Sequence, residues 1–211
     1  AASGCGRKAD DINLIVVTKN HPTQLVFDLL ELGVRDFGEN RDQEAAPKAA
    51  EVRAYSTIEH RWHFIGQLQS NKVKSVVNYA SSVHSLDRQS LLDSLGKATV
   101  EREQPLDVFI QLNLTDDEDR GGIQPSNLLS FAENVLMHPG LNLVGVMGVA
   151  ALDNNLDRDF GAIRSASESL KTLKPDAALI SAGMSEDFET AIAYGATHLR
   201  IGTAITGKRN Y

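Results

Sequence analysis

The chain has 211 residues, 42% hydrophobic and 23% charged, a balance that fits a folded globular protein and argues against disorder. Lys and Arg number 21 against 28 Asp and Glu, for a net charge of −7, and no basic block offers a nucleic-acid face. No apolar run approaches the roughly 18 residues of a membrane span, and no leader pattern precedes the first apolar segment. A single Cys5 leaves no internal disulfide, which suits the cytoplasm.

Taken in chain order, apolar and β-branched runs predict strands at Ile12–Thr18, Val34–Phe37, Arg61–Ile65, Ser82–Leu86, Asp107–Leu114, Leu141–Gly148, Ala177–Ala182 and Thr197–Ile201. Runs such as Leu14-Ile15-Val16-Val17 do not alternate, which is the habit of parallel strands covered on both faces. Between them lie helical patterns. Thr23–Leu32 follows Pro22 and stops at Gly33, and Asp87 is placed to cap a helix holding Leu91, Leu92 and Leu95. Phe160–Leu173 and Glu186–Tyr194 supply two more, the second closed by Gly195. Asp116-Asp117-Glu118-Asp119 reads as a solvated acidic loop, since no calcium-loop pattern follows.

Strands alternating with helices call for crossover units and a parallel sheet, and no linker divides the chain. An open nucleotide-binding sheet wants GxGxxG after an early strand, and none is present. The expected fold is therefore an α/β single domain over residues 1–211, a (β/α)8 TIM-type barrel. About ten residues stand on either side of the strands, too few for a full eighth helix, so the N-terminal helix is expected to be truncated or the wall incomplete.

Such barrels carry their sites at the carboxyl ends of the strands. Those ends read Lys19, Gly38-Glu39-Asn40, His63 to Gly66, His84 with Asp87, Asn113, Met147-Gly148, Ser181 to Ser185, and Arg200-Ile201-Gly202-Thr203. The last two loops are the usual phosphate site. Ser185 precedes an acidic-first helix and Gly202-Thr203 lets backbone approach an anion, although Ser185 could equally be only a helix cap. Lys19 ends a strand that carries the apolar run Leu14-Ile15-Val16-Val17, and partial burial there lowers an ammonium pKa as Schiff-base chemistry requires, where a snorkelling rim lysine is the plainer alternative. A lysine facing a phosphate cradle describes a pocket for pyridoxal 5'-phosphate, with Arg200 pointing inward near the pyridine ring.

Six motifs then occur in order: Val17-Thr18-Lys19, Phe37-Gly38-Glu39-Asn40, Trp62-His63-Phe64-Ile65-Gly66, Leu68-Gln69-Ser70-Asn71-Lys72, Gly183-Met184-Ser185-x-Asp187 and Arg200-Ile201-Gly202-Thr203. From about Leu14 to Tyr211 the chain resembles the YggS/PROSC family of pyridoxal-phosphate homeostasis proteins, related to the N-terminal barrel domain of alanine racemases. The resemblance implies Lys19 as the Schiff-base lysine and Ser185, Gly202 and Thr203 at the phosphate. It also implies Arg200 near the ring nitrogen, and Asn40, His63, Asn113 and Met147 lining the ring. Two departures stand out. The family commonly reads Ser-Lys-Thr at Thr18-Lys19-Asn20 and Gly-Pro-Leu-Gln at Gly66-Gln67-Leu68-Gln69.

An arginine cannot hand over a proton, so it leaves the ring nitrogen unprotonated and the ring a weak electron sink. Related racemases work with a tyrosine from a second domain as their second base. Tyr55, Tyr79, Tyr194 and Tyr211 do not fall at strand ends, and the resemblance thus implies a holder of the cofactor rather than an enzyme with robust turnover. The role implied is in vitamin B6 and amino-acid homeostasis, as a monomer in transient contact with pyridoxal-phosphate-dependent apo-enzymes. The alternatives are an amino-acid racemase using Lys19 with His63 or His84, and a phosphate-sugar barrel enzyme without this cofactor. Weaker signals are set aside. Gly202-x-x-x-x-Gly207-Lys208 lacks the Ser or Thr of a P-loop because Arg209 stands there. His60 and His63 fall on opposite faces of a strand, no metal ligand set is expected, and the sequon at Asn113 stays bare. His21, His138 and His198 read as structural or solvated.

Overall fold

The computed structural model describes residues 1–115, 117, 120–151 and 155–207. The acidic cluster apart from Asp117, and Lys208, Arg209 and Tyr211, lie outside the described residues. Eight parallel strands close into a barrel in sequence order. They are β1 (Asn13–Val17), β2 (Asp36–Glu39), β3 (Arg61–Phe64), β4 (Ser82–Leu86), β5 (Leu106–Gln111), β6 (Leu141–Met147), β7 (Leu179–Ser181) and β8 (His198–Ile201). Closure is made by β1 against β8, with Asn13 opposite His198 and Ile15 opposite Arg200. The expected barrel is thus the observed one.

The helices are α1 (Thr23–Glu31), α2 (Asp42–Tyr55), α3 (Val73–Val76), α4 (Gln89–Ala98), α5 (Leu128–Leu136), α6 (Leu156–Leu173), α7 (Phe188–Ala193) and α8 (Thr203–Thr206). Gly33 and Gly195 end α1 and α7 with φ of 91° and 98°, the left-handed geometry a stop glycine supplies. Two expected starts are corrected. Helix α4 begins after Arg88, because the Asp87 carboxylate is drawn 2.5 Å to the Arg88 guanidinium instead of capping the helix. Helix α7 begins at Phe188 rather than Glu186, since Asp187 turns back to accept the Met184 N–H at 2.5 Å. In the eighth wall position, α8 is one turn long, and 3-10 turns at Ala2–Cys5 and Ala9–Asp11 precede β1. Arg7 ties that leading segment to the carbonyls of Ile192 and Ala196 at the end of α7.

Strand parity divides the side chains into two populations. Outward residues such as Val16, Phe37 and Trp62 pack with Val26, Leu29, Leu30, Ala49 and Val52 of α1 and α2. Removing such apolar surface from water at about 25 cal/mol per Å² is the main force holding helices to the barrel. Inward residues are different. An added Cβ at Gly38 would meet Ile15, Val17 and Ile65 within 3.0–3.4 Å, so these four share one layer near the carboxyl end. Below them lies a polar layer of Asp36, His63, Ser82, His84, Ser181 and Arg200, where barrels of this kind usually hold branched apolar side chains.

Candidate functional site

A cavity of about 590 Å³ opens at the carboxyl end of the barrel, within the range of small-molecule sites. Its wall includes Lys19, Asn40, Ser185, Arg200, Gly202 and Thr203, so six of the expected residues converge there from four strand ends. Lys19 stands two residues past the end of β1, half-buried, and the chain then turns through Asn20 at φ 60°. Asn tolerates this left-handed geometry far better than a β-branched Thr, which gives the departure at Asn20 a structural reason. The Asn20 N–H donates to Glu44 of α2 at 2.8 Å.

The backbone just before Lys19 is clamped from below. Lys48 of α2 is buried and donates to the Thr18 carbonyl at 2.9 Å and to the Glu39 carboxylate, which also accepts the Thr18 hydroxyl at 2.7 Å. Sequence reasoning missed Lys48. The signal was its place on the Ala45, Ala49, Val52 face of α2, a stripe too rich in alanine to stand out.

On the neighbouring strand β8, Arg200 is 5% exposed and donates to the Ser181 hydroxyl at 2.7 Å and the Gly148 carbonyl at 2.9 Å. Burial pulls its pKa down to about 10, with Asp187 opposing, so it remains a cation at neutral pH. At the third wall the Ser185 hydroxyl accepts the Ala204 N–H at 3.3 Å, which joins the loop after β7 to α8; Ser185 does not cap α7 but satisfies a first-turn N–H of α8. A Cβ at Gly202 would meet only Val17, at 3.5 Å, so the space beside it opens into the cavity. Asn40 contributes a buried side-chain oxygen with no hydrogen-bond partner, among the few such atoms of the described residues. The loop after β3 passes so close that a Cβ at Gly66 would lie 2.2 Å from the Asn40 carbonyl oxygen.

The other three expected residues sit elsewhere. His63 is one layer below the wall, bonded to Asp36 at 2.7 Å, because Ile65 takes the wall position on the same face of β3. His84, expected at the rim, is wholly buried beside it, so neither histidine borders the cavity. Asn113 closes its own loop, donating to the Asp117 carbonyl at 2.8 Å and accepting from the Thr115 N–H and hydroxyl. Met147 packs against Phe109 and Val144. His21, read as structural or solvated, lines the cavity mouth, while His138 lies against Gly96 and His198 is stacked edge-on to Phe109. Tyr55, Tyr79 and Tyr194 do not border the cavity: Tyr55 is exposed, and the other two bond to Asp42 and Asp157.

Residues 7–210 match the family described as alanine racemase, N-terminal domain. The pyridoxal phosphate homeostasis protein of Escherichia coli K12 is 38% identical over 214 residues, covering 100% of this chain and 92% of that protein. The structure of PipY from Synechococcus elongatus PCC7942, solved with PLP bound, superposes with a TM-score of 0.85 at 31% identity over 98% of this chain and 97% of PipY. Alanine racemase from Corynebacterium glutamicum shares the fold, with a TM-score of 0.72 at 13% identity, and this chain covers 58% of it. The chain therefore belongs to the alanine racemase N-terminal-domain family, together with the pyridoxal phosphate homeostasis proteins.

Proposed function

We propose that the cavity holds pyridoxal 5'-phosphate as a Schiff base on Lys19, and that the protein keeps and passes on this cofactor without robust turnover. When bound, the cofactor supplies an aldehyde that condenses with an amine, releasing water, and an electron-withdrawing ring. The observation that carries the reading is the convergence on one cavity of an amine, a buried guanidinium and two hydroxyls, Ser185 and Thr203, beside an open glycine. The unpartnered Asn40 oxygen adds an acceptor that a ligand donor would satisfy. PipY, which bears PLP, and relatives named for pyridoxal phosphate homeostasis support the same assignment.

In this reading Lys19 provides the covalent anchor, and Ser185, Thr203 and the backbone at Gly202 hold the phosphate. Arg200 faces the ring nitrogen. A guanidinium with a pKa near 10 keeps its own proton at neutral pH, so the ring nitrogen gains none and carbanion chemistry is poorly supported. Thr18, Glu39 and Lys48 fix the backbone that carries Lys19. Of the positions where an opposed acid or base was expected, His63 and His84 lie below the cavity wall. A cytoplasmic monomer handing the cofactor to apo-enzymes in transient contacts is part of this proposal. His63, Asn113 and Met147 are not assigned to the ring.

Visible absorption with added pyridoxal 5'-phosphate, followed by borohydride reduction, tests the assignment. The expected result is a coloured protein with one permanently attached pyridoxyl group, and neither in Lys19→Ala. A colourless wild type left unmodified would point instead to a phosphate-sugar barrel. Racemisation far above that of the free cofactor, abolished in Lys19→Ala, would replace the holder with an enzyme.

A further inference from the structure

The polar layer inside the barrel forms one continuous file. From the cavity, Arg200 donates to the Ser181 hydroxyl at 2.7 Å, and Ser181 meets Nδ1 of His84 at 2.7 Å. His84 Nε2 lies 3.0 Å from the Ser82 hydroxyl, which is 2.7 Å from Nδ1 of His63. His63 Nε2 then reaches the Asp36 carboxylate at 2.7 Å, and Asp36 is held in turn by Arg61 at 2.8 Å, on the amino-terminal side of the barrel. Asp36, His63, Ser82, His84, Ser181 and Arg200 are all at most 6% exposed.

With one proton on each imidazole, the two ends set the sense of the bonds between them. A guanidinium only donates and an ionised carboxylate only accepts. Each intermediate group must therefore accept from the Arg200 side and give its own proton toward Asp36. Ser181 donates to His84 Nδ1, His84 Nε2–H to Ser82, Ser82 to His63 Nδ1, and His63 Nε2–H to Asp36. Each imidazole then carries its proton on Nε2, and every donor in the file is used. The 3.1 Å approach of His84 Nε2 to His63 Nδ1 is a second branch with the same sense. Bonds aligned head to tail in a low-dielectric interior polarise one another, so a carboxylate at one end is felt at the other.

Resting on the cofactor reading above, we propose that Asp36 is a positioning residue for Arg200, acting through Ser181, Ser82 and the two histidines. The file fixes the guanidinium that meets the cofactor ring, while Asp187 on the cavity wall is the carboxylate that acts on it directly. None of the four intermediates borders the cavity. Their effect on the cofactor has to pass through Arg200.

The test is a double-mutant cycle on the full chain with pyridoxal 5'-phosphate as the probe. Two quantities are read: affinity from the visible absorption titration, and the pH midpoint of the bound chromophore's spectrum. Asp36→Asn keeps an oxygen acceptor for His63 but removes the charge, and Ser181→Ala cuts the file next to Arg200. Each is expected to weaken the cofactor by roughly tenfold and to displace the pH midpoint in the same direction. The double variant is expected to be no worse than Ser181→Ala alone, because a cut file makes Asp36 silent. Should Asp36→Asn fail to fold, His84→Leu, which removes the ring through which both branches pass, replaces it in the same cycle. Full additivity, or an unchanged spectrum and affinity in folded Asp36→Asn or His84→Leu, would overturn the inference while leaving the cofactor site intact. A wild type that binds no chromophore removes the cofactor reading itself, and this inference with it.

Discussion

Lys48 shows how much of the site rests on a residue that never touches the cavity. Its ammonium is buried against Glu39, whose side chain is 1% exposed, and against the carbonyl just before Lys19. Removing one member of a buried pair strands the other charge, at about 3–5 kcal/mol. Lys48→Met is expected to lower the unfolding free energy by about that amount in urea titrations, with part recovered in the Lys48→Met/Glu39→Gln double variant, where no charge is left unpaired. Recovery in the double variant distinguishes a stranded charge from lost packing. At this scale the sequence was legible wherever chemistry and strand order coincided. Lys19 stood out because Leu14 to Val17 before it are apolar, and Arg200 because Gly202, two residues later, opens the turn expected to hold a phosphate. The resemblance set His63 at the ring, and the structure places it one layer below the cavity wall. Alternation along β3 gives parity, whereas depth depends on the stagger of neighbouring strands, which pairs Gly38 with His63 and leaves the wall to Ile65.

Among the elements, the eight strands were readable because both faces of each are buried, which forces continuous apolar runs. Their ends were less so. β2 runs two residues later than expected, since Gly38 and Glu39, poor strand formers alone, are held by pairing with His63 and Phe64. Helices α2, α3 and α5 carried no expectation, and α2 hides its buried face in alanines. Glycines make the packing between elements testable. A Cβ at Gly145 in β6 would lie 1.8 Å from the Leu179 carbonyl oxygen of β7, so Gly145→Ala must push two paired strands apart. A loss of about 3 kcal/mol is expected. Gly161 in the middle of α6 is the opposite case, because its added Cβ would make only an ordinary 3.7 Å contact with Tyr194. Gly161→Ala should stabilise the protein by about 0.5–1 kcal/mol through helix propensity. Thermal midpoints of the two variants moving in opposite directions would bear this out, and a stable Gly145→Ala would contradict the described β6–β7 contact.

For the whole molecule, a polar barrel interior couples folding to pH. Burial holds His84 well below its usual 6.5, aided by the nearby Arg200 guanidinium. Burial likewise lowers His198 to about 4, with Arg61 and Arg200 adding to it and Asp36 opposing. A histidine that is neutral when folded and protonated when unfolded makes the unfolded chain bind more protons, so stability rises with pH. Its contribution is complete above pH 6.5 and declines as pH falls toward the folded value. Each such histidine gives a slope of about 1.4 kcal/mol per pH unit, or about 2.7 for the pair between roughly pH 5.5 and 4.5. Asp36 acts lower. Burial alone would raise its pKa, but the bonds from His63 and Arg61 outweigh that and hold it well below 3.8, so its share is lost only in stronger acid. Acid sensitivity should thus begin near pH 6, before ordinary carboxylates titrate. Urea midpoints of the cofactor-free protein between pH 7 and 4.5 measure it, and His198→Asn should remove about half the slope in that window. A profile flat down to pH 5 would mean that the interior histidines are not held neutral, and the one-way sense of the file to Arg200 would fail with it.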